Sequence, residues 1–384
     1  MKIGNKLHLL LELYRHKGDS VLISKDKIPQ NKDAVNYIFI TDIHFMDFDL
    51  SWDAQGKVLL EQAVQITECA NNNASIDFVV IGGDSVQGFW DTKDGWKTAI
   101  ANIMKPFTAC KKPVFVLMGN HDDNTYATWN VNYSEKVISD LDWKNCVLDP
   151  VCPANIDRPA DDPNAKHYYY DFIKNGKTTR LFFLDAADYY QEYDENGTIT
   201  ALQIREGYTE DSEETYDKYH HGRSVFGYSG VQVKWLADSL AEADKFDDVI
   251  IFSHMGTDAA TSIATFGTEV AAVMAAYNNK TAYKNDELGI DVSYNDEGRI
   301  LAYQFGHIHR EFSGYNSEAN LWQIATSTAR ADQAQKEANR TLGNENETCF
   351  DIMSVSKSAV HKFNIGAGED GLYIANAKAT LKNT

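Results

Sequence analysis

Cysteine is scarce in this sequence, and basic residues are outnumbered by acidic ones. The five cysteines are an odd number without CxxC spacing: Cys69, Cys110, Cys146, Cys152 and Cys349. They therefore predict neither a disulfide framework nor a zinc–cysteine site, although a pairing of Cys146 with Cys152 stays open. With 36 Lys and Arg against 56 Asp and Glu, the formal charge is −20. This balance disfavours a general nucleic-acid-binding surface, because such surfaces need clustered cations.

Long apolar runs are also missing. No run reaches the roughly 18 residues that a membrane-spanning helix needs, so we expect no membrane span. The N-terminal Leu9-Leu10-Leu11 is too short for the core of a signal peptide. These absences favour a cytoplasmic location, although a secreted protein trimmed of its signal peptide would show the same sequence. Nothing in the sequence predicts the oligomeric state.

The length and composition are those of an ordinary globular protein. A chain of 384 residues with 43% hydrophobic and 24% charged residues can bury one large core. We expect residues 1–35 to form an N-terminal arm and residues 36–384 to form a single domain. Within that domain, the acidic, tyrosine-rich stretch 186–229 is interpreted as an inserted loop or lid with little regular structure. Residues 313–384 are expected to supply C-terminal strands that complete a second sheet.

Five apolar strands run into short polar clusters. They are predicted at Tyr37–Ile40, Phe78–Ile81, Val114–Met118, Val249–Phe252 and Arg299–Gln304. Helical periodicity after each of the first two strands predicts a parallel sheet with right-handed crossovers. Such sheets place their functional sites at the carboxyl ends of the strands.

A β-hairpin is predicted in the middle of the chain. Its strands are expected at Tyr168–Ile173 and Thr179–Leu184. The connection between them contains Asn175-Gly176, a dipeptide that suits a type I′ turn.

The polar clusters contain residue types that bind metal ions: Asp42, His44, Asp84, Asn120, His254, His307 and His309. A set of imidazoles and oxygens without thiolate suits Mn, Fe, Zn, Co or Ni, and is too rich in histidine for Ca or Mg. Seven ligands are too many for one tetrahedral site, but they fit two ions if one carboxylate bridges. Two such ions activate water and clamp the oxygens of an in-line displacement, which is the chemistry of phosphoester hydrolysis. Singly, each residue has an ordinary reading as a helix cap, turn residue or core histidine; five matching clusters make those readings fail together.

The sequence resembles the calcineurin-like metallophosphoesterase superfamily from residue 42 to residue 309. The resemblance rests on five blocks in the family's order and approximate spacing: Asp42-x-His44, Gly83-Asp84, Gly119-Asn120-His121-Asp122, His254 and Gly306-His307-x-His309. It implies an α/β fold, a four-layer αββα sandwich of two mixed β-sheets flanked by helices. It also implies two divalent transition-metal ions, with Mn, Fe or Zn favoured.

The resemblance further implies a role for each residue of the blocks. Asp42, His44 and His309 would hold the first ion, Asn120, His254 and His307 would hold the second, and Asp84 would bridge both. His121 would touch the phosphate and protonate the leaving oxygen as a general acid. Asp122 would either orient His121 or be an ordinary loop residue.

Departures from two branches of the superfamily narrow the expected activity. Asp84 is followed by Ser85-Val86-Gln87-Gly88, which lacks the Asp-Arg-Gly of protein Ser/Thr phosphatases. It also lacks the metal-binding tyrosine that purple acid phosphatases place at the position of Gln87. We therefore expect a metal-dependent phosphoric ester hydrolase of the phosphodiesterase and small-molecule phosphatase branch.

The expected reaction is hydrolysis of a small phosphodiester, nucleotide-derived diesters included, by attack of a metal-bridging hydroxide. A small-molecule phosphomonoesterase is the first alternative. A nuclease and a catalytically silent binding module are the others; the total charge argues against the first of these, and the intact ligand set against the second.

Overall fold

A computed structural model describes most of the chain. The described residues are 25–47, 56–124, 136–193, 199–204, 226–242, 245–257, 264–295, 297–331, 340, 345–374 and 380–381. Most of the predicted N-terminal arm and residues 205–225 of the predicted lid lie outside them.

The described residues form six α-helices and nineteen strands. The helices are α1 Gly56–Asn72, α2 Lys93–Thr108, α3 Asp140–Trp143, α4 Asp149–Val151, α5 Gly230–Leu240 and α6 Gly267–Asn279, with a π-helical turn Lys144–Leu148 between α3 and α4 and 3₁₀ turns at Lys25–Lys27 and Glu345–Glu347. The strands are β1 Val35–Ile40, β2 Phe78–Ile81, β3 Val114–Val116, β4 Tyr168–Lys174, β5 Lys177–Leu184, β6 Tyr189–Tyr193, β7 Ile199–Ile204, β8 Phe226–Gly227, β9 Asp248–Ser253, β10 Ala264–Thr265, β11 Ala282–Asn285, β12 Ile290–Ser293, β13 Ile300–Phe305, β14 Phe312–Asn316, β15 Leu321–Ala325, β16 Cys349–Val355, β17 Ala359–Gly366, β18 Gly371–Ile374 and β19 Thr380–Leu381.

The first sheet has seven strands in the order β19-β18-β17-β16-β1-β2-β3. Strands β1, β2 and β3 run parallel and are joined through α1 and α2, as predicted. Every residue of these three strands is buried, which is why they are apolar throughout rather than alternating. Their carboxyl ends bring the first three polar clusters to one edge of the sheet.

The second sheet has six strands in the order β14-β15-β13-β9-β5-β4. Strands β5, β9, β13 and β15 run parallel, and the edge strands β4 and β14 run antiparallel to their neighbours. The predicted hairpin is confirmed as β4 and β5. Its turn residues Asn175 and Gly176 have φ values of 53° and 75°, as a type I′ turn requires.

Successive side chains of the second sheet alternate between two hydrophobic clusters. Leu181 and Phe183 of β5 belong to the cluster that contains the first sheet, whereas Phe182 and Leu184 belong to the cluster that contains α5 and α6. Between the sheets, the ring of Phe252 lies 5.2 Å from that of Tyr37 and 6.2 Å from that of Phe39. Helices α1 and α2 pack on the first sheet. The predicted α/β sandwich of two mixed sheets flanked by helices is therefore confirmed.

The expectation that residues 313–384 complete the second sheet is wrong for the last four strands. Strands β14 and β15 join the second sheet, but β16 to β19 extend the first, with β16 antiparallel to β1. The physical reason is burial: all seven residues of β16 are buried, which a central strand between β1 and β17 provides and a sheet edge does not.

The expectation of little regular structure across 186–229 is wrong for part of that stretch. Strands β6 and β7 pair antiparallel as a separate two-stranded sheet. The polar composition of these strands concealed them, because the apolar alternation that predicts a half-buried strand is weak. The interpretation as a lid stays a prediction.

A chain of hydrogen bonds crosses between the two sheets beneath the strand ends. Tyr37 Oη donates to Gln304 Oε1 over 2.9 Å, Gln304 Nε2 donates to Thr326 Oγ1 over 2.9 Å, and Thr326 Oγ1 donates to Asp351 Oδ2 over 2.6 Å. Asn364 donates to the other Asp351 oxygen over 2.7 Å. Burial raises the pKa of Asp351 to about 6.

We expect the Asp351→Asn substitution to remove a pH dependence of stability. Because the folded-state pKa is raised from the model value 3.8 to about 6, the contribution of Asp351 is present below the unfolded pKa and is lost as the pH rises through 6. Relative to the Asn variant, the wild-type free energy of unfolding should fall by up to about 3 kcal/mol across this interval. Urea unfolding across the interval measures it, with Asp286→Asn, at an 83% exposed side chain, as the control. A wild-type-minus-variant difference that is constant with pH would contradict the raised pKa.

Candidate metal centre

Five of the seven residues predicted to bind metal have a left-handed backbone. The φ values are 53° for Asp42, 48° for His44, 51° for Asp84, 66° for His307 and 53° for His309. This conformation is uncommon for residues other than glycine and persists where the surrounding structure enforces it, often at functional sites. It turns the chain sharply after each strand.

Two glycines of the sequence blocks allow backbone to approach the carboxylates closely. A Cβ atom at Gly306 would lie 2.0 Å from Thr41 Oγ1 and 2.6 Å from Asp42 Oδ2. A Cβ atom at Gly119 would lie 2.2 Å from Asp84 Oδ1. Any larger residue at these two positions would displace the carboxylate beside it.

One group of side chains gathers around Asp42. Its Oδ1 atom lies 3.1 Å from His309 Nε2 and 3.8 Å from His44 Nε2, and the two imidazole nitrogens lie 2.9 Å apart. Asp84 Oδ2 is 3.7 Å from His44 Nε2. The ligand atoms of these four residues all lie within 4.8 Å of one another, as close as the ligands of one metal ion.

A second group shares the carboxylate of Asp84. His254 Nε2 lies 3.2 Å from Asp84 Oδ2, and His307 belongs to the same set, with ligand atoms within 4.8 Å. Asn120 joins this group because its Oδ1 atom lies 3.0 Å from His307 Nδ1. The structure thus brings all seven predicted residues together, in two groups with Asp84 between them.

Each aspartate has one oxygen held by the chain and the other aimed into the centre. Asp42 Oδ2 accepts hydrogen bonds from the His307 backbone N–H over 2.9 Å and from Thr41 Oγ1 over 2.8 Å. Asp84 Oδ1 accepts from the His121 backbone N–H over 2.8 Å. These bonds fix the carboxylates so that their second oxygens face the imidazoles.

The donor atoms fit divalent cations. Asp42 Oδ1 and His254 Nε2 are buried, and within the described part of the chain neither makes a hydrogen bond of acceptable geometry despite the short approaches around them. A buried polar atom without a partner is costly. An ion bound among these atoms would satisfy both, and the mixture of carboxylate and imidazole suits a borderline transition metal.

The two carboxylates are held in the ionised form. Burial alone would raise the pKa of Asp42, but His309 and His254 beside it hold that pKa well below its usual range. Burial likewise opposes ionisation of Asp84, but His254 and His121 lower its pKa well below the usual value. Ionised carboxylates are the form that binds metal.

The imidazoles differ from one another. Burial and the nearby His121 lower the pKa of His44, and burial with His254 lowers the pKa of His307 to about 3. These rings are therefore neutral, as ligation requires. Burial would lower the pKa of His254 as well, but Asp84 raises it to about 9. A metal ion beside Asp84 would take the place of that proton.

The two residues predicted to be catalytic have different surroundings. The Nδ1 atom of His121 lies 2.9 Å from the Gln87 carbonyl oxygen, and its Nε2 atom faces Asp84 at 3.9 Å from Oδ2. The buried carboxylate of Asp122 accepts from the backbone N–H groups of Gly119 and Val86 over 2.8 and 3.1 Å. Asp122 thus joins the loops that follow β2 and β3, and its catalytic role stays a prediction.

Burial affects the pKa of both catalytic candidates. Burial lowers the pKa of His121, with Asp84 acting in the opposite direction. Burial and the nearby Asp84 raise the pKa of Asp122 well above its usual range. The environment therefore favours a neutral Asp122, which can share its hydrogen bonds with the loop backbone at little electrostatic cost.

The analysis of the sequence missed a segment that supports the centre. Residues 326–330, here called the brace, follow β15 and contact the metal-site loops at each step. Thr328 Oγ1 donates to the Asp42 carbonyl over 2.8 Å, Ser327 Oγ donates to the His309 carbonyl over 3.2 Å, and the Ala329 N–H donates to the Thr41 carbonyl over 2.9 Å. A small polar run directly after an apolar strand was the available signal, but it contains no metal-ligand side chain.

A scan against protein families matches residues 35–311 to the calcineurin-like phosphoesterases. The chain belongs to the calcineurin-like phosphoesterase family. Membership implies a metal-dependent phosphoester hydrolase with a dinuclear metal site, and the Asp and His cluster described above is the candidate for that site.

Solved structures show how far the likeness extends. A dimetal phosphatase from Danio rerio is 17% identical to this chain, with a TM-score of 0.57, and the match covers 89% of this chain and 100% of that one. The two share a fold. GAP50, the anchor in the inner membrane complex of Plasmodium, is 11% identical over 91% of this chain and 88% of its own, with a TM-score of 0.44, too distant to support an inference.

Two further comparisons bear on the chain. A search of curated proteins found no match to this sequence. Among the residues that the structure describes, no helix combines the length and the apolar character needed to cross a membrane.

We expect Thr328→Val to weaken binding of the first metal ion. Loss of the hydroxyl releases the Asp42 carbonyl, and removal of such supporting hydrogen bonds typically costs roughly 10–100-fold in metal affinity. Titration of metal-stripped protein with Mn²⁺ or Zn²⁺ measures the two affinities. The matched control is Thr67→Val, which removes a buried hydroxyl that donates to the Pro106 carbonyl away from the site over 3.2 Å. Unchanged affinity for both ions would show that the brace does not support the centre.

Proposed function

We propose that this protein is a two-metal phosphodiesterase that hydrolyses a small phosphodiester, nucleotide-derived diesters included. The observation that supports it best is the carboxylate of Asp84, whose Oδ2 atom lies 3.7 Å from His44 Nε2 and 3.2 Å from His254 Nε2. A carboxylate shared in this way is what two adjacent ions need. Family membership supplies the reaction class, and the diester preference is our inference.

Asp42, His44 and His309 would hold one ion, and Asn120, His254 and His307 the other, with Asp84 shared. When bound, the two ions would neutralise phosphate charge and lower the pKa of a water molecule. Such neutralisation matters here because the chain has a formal charge of −20 and repels phosphate overall.

Charge near the site supports the diester over the monoester. A diester phosphate has one negative charge, whereas a monoester approaches two near neutral pH. The nearby cation Arg330 is buried and donates to the Gln87 side chain over 3.1 Å and to the His44 carbonyl over 3.5 Å. A guanidinium engaged in this way does not add to the charge offered to a dianion.

His121 is positioned to donate a proton. Its Nδ1–H group donates to the Gln87 carbonyl, which leaves Nε2 on the side of the metal ligands. From Nε2 the proton passes to the leaving oxygen as the phosphorus–oxygen bond breaks, and the bond's electron pair stays on that oxygen. An alcohol leaving group needs this proton more than a phenol does, because its oxyanion is more basic.

We expect His121→Ala to retain two metal ions and to lower turnover by roughly 10²–10⁴-fold, the usual contribution of a general acid. Steady-state kinetics together with metal analysis of the same sample test this. His361→Ala, on strand β17 of the first sheet, is the control and should match the wild type. Unchanged turnover in His121→Ala would remove this residue from the mechanism.

We expect Asp84→Asn to lose at least one metal ion per chain, because an amide cannot offer two ions a charged oxygen. Metal content after dialysis is the measurement. Asp248→Asn is the control, since that aspartate is buried at the start of β9, at the opposite end from His254. Two ions retained in Asp84→Asn would refute the bridging assignment.

The diester preference is tested by comparing bis(p-nitrophenyl) phosphate with p-nitrophenyl phosphate on metal-stripped protein refilled with Mn, Fe, Zn, Co or Ni. Metal-dependent turnover with a higher kcat/KM for the diester supports the proposal. A higher value for the monoester would make the protein a small-molecule phosphomonoesterase. Failure to hydrolyse either ester, in protein shown to hold two ions, would overturn the proposal in favour of a binding module.

A further inference from the structure

We propose that Arg330 and Gln87 form a clamp that orients His121 for proton donation, an inference that rests on the proposed function. Arg330 is then a positioning residue for the general acid. It lies outside residues 35–311, where the family match ends.

Arg330 joins two loops of the metal centre. Its side chain is buried, with 7% of the residue exposed. Its Nη1 atom donates to Gln87 Oε1 over 3.1 Å and lies 3.5 Å from the His44 carbonyl oxygen. One guanidinium therefore ties the loop after β1 to the loop after β2, from the last residue of the brace.

Gln87 is held at three points. Its side chain accepts from Arg330, its backbone N–H donates to the Phe45 carbonyl over 3.2 Å, and its carbonyl oxygen lies 2.9 Å from His121 Nδ1. The next residue, Gly88, has a φ of 77°, and a Cβ atom there would lie 2.4 Å from the His121 carbonyl oxygen. The Gln87-Gly88 segment thus packs directly against His121, and its side chain turns toward Arg330.

This arrangement determines which nitrogen of His121 reacts. A carbonyl at Nδ1 accepts a proton there and leaves Nε2 as the donor to the leaving oxygen. If Arg330 were lost, the amide of Gln87 would lose its charged partner, and the carbonyl that holds the imidazole would lose part of its support. The imidazole would then spend less time in the productive orientation, and small misplacements of a catalytic group are costly.

A direct role in substrate binding is the competing reading of Arg330. It is disfavoured by the burial of the side chain and by the acceptors that already engage it. The two roles differ in kinetics. A positioning residue for the general acid affects kcat in proportion to the basicity of the leaving group, whereas a residue that binds phosphate affects all esters alike and raises KM.

The experiment compares Arg330→Met and Gln87→Leu with the wild type on two diesters, methyl p-nitrophenyl phosphate and methyl phenyl phosphate. The phenyl ester needs a general acid more because phenoxide is the more basic leaving group. We expect kcat for the phenyl ester to fall roughly 10–100-fold, a part of the full general-acid contribution. For the p-nitrophenyl ester we expect less than about a 3-fold fall, with KM and the content of two metal ions unchanged.

The matched control is Arg340→Met. Arg340 also supports the brace, donating to the Thr328 carbonyl over 2.7 Å and to the Glu347 carbonyl over 2.8 Å. Its loss should affect both esters by the same factor. If Arg330→Met does not fold, Gln87→Leu alone decides, since it removes the acceptor and keeps the backbone carbonyl.

Two outcomes would overturn the clamp. One is an equal fall on both esters in Arg330→Met and Gln87→Leu; the other is a rise in KM with kcat unchanged. His121→Ala, measured on the same pair of esters, separates this from failure of the proposed function. A selective loss on the phenyl ester in His121→Ala but not in the clamp variants rejects the clamp alone. The absence of that selectivity in His121→Ala rejects the general acid itself.

Discussion

The carboxylate of Asp84 is the point at which the two sheets and both groups of imidazoles meet. One of its oxygens accepts from the His121 backbone N–H over 2.8 Å, and the other lies 3.2 Å from His254 Nε2 and 3.7 Å from His44 Nε2. His44 comes from the first sheet and His254 from the second. The close packing of Gly119 against this carboxylate shows that little movement is available to it. The position of Asp84 thus depends on both sheets being in place.

Concentrating these groups has a cost that the fold must offset. Two carboxylates are removed from water, and each buried charge costs several kcal/mol unless it is paired. Left-handed backbone at five of the ligands adds strain on the order of 1–3 kcal/mol for each residue. The apolar strands beneath supply the rigidity, since every residue of β1 and β9 is buried. Bound metal ions would stabilise the folded chain further, because an unfolded chain does not offer the site.

Support for the centre comes from beyond the residues that carry its ligands. The brace, residues 326–330, bonds to the carbonyls that precede or belong to Asp42 and His309, and Arg330 extends the contact to Gln87. Its first residue, Thr326, donates to the buried Asp351 of β16 over 2.6 Å. The C-terminal strands therefore support the metal centre from below through a continuous set of hydrogen bonds, although the family match ends at residue 311.

The sequence by itself determined the types of residue at the strand ends, the parallel arrangement of the first three strands, and the hairpin at Asn175-Gly176. These follow from local chemistry: side-chain type, apolar runs, and a dipeptide that tolerates positive φ. Only the tertiary structure decided the sheet that receives β16 and the role of the brace. Both depend on partners far away in the chain, since Val355 pairs with Val35 and Thr328 bonds to a carbonyl 286 positions earlier. Hydrogen bonds to backbone carbonyls leave no trace in the partner's side chain, so no local pattern identifies them.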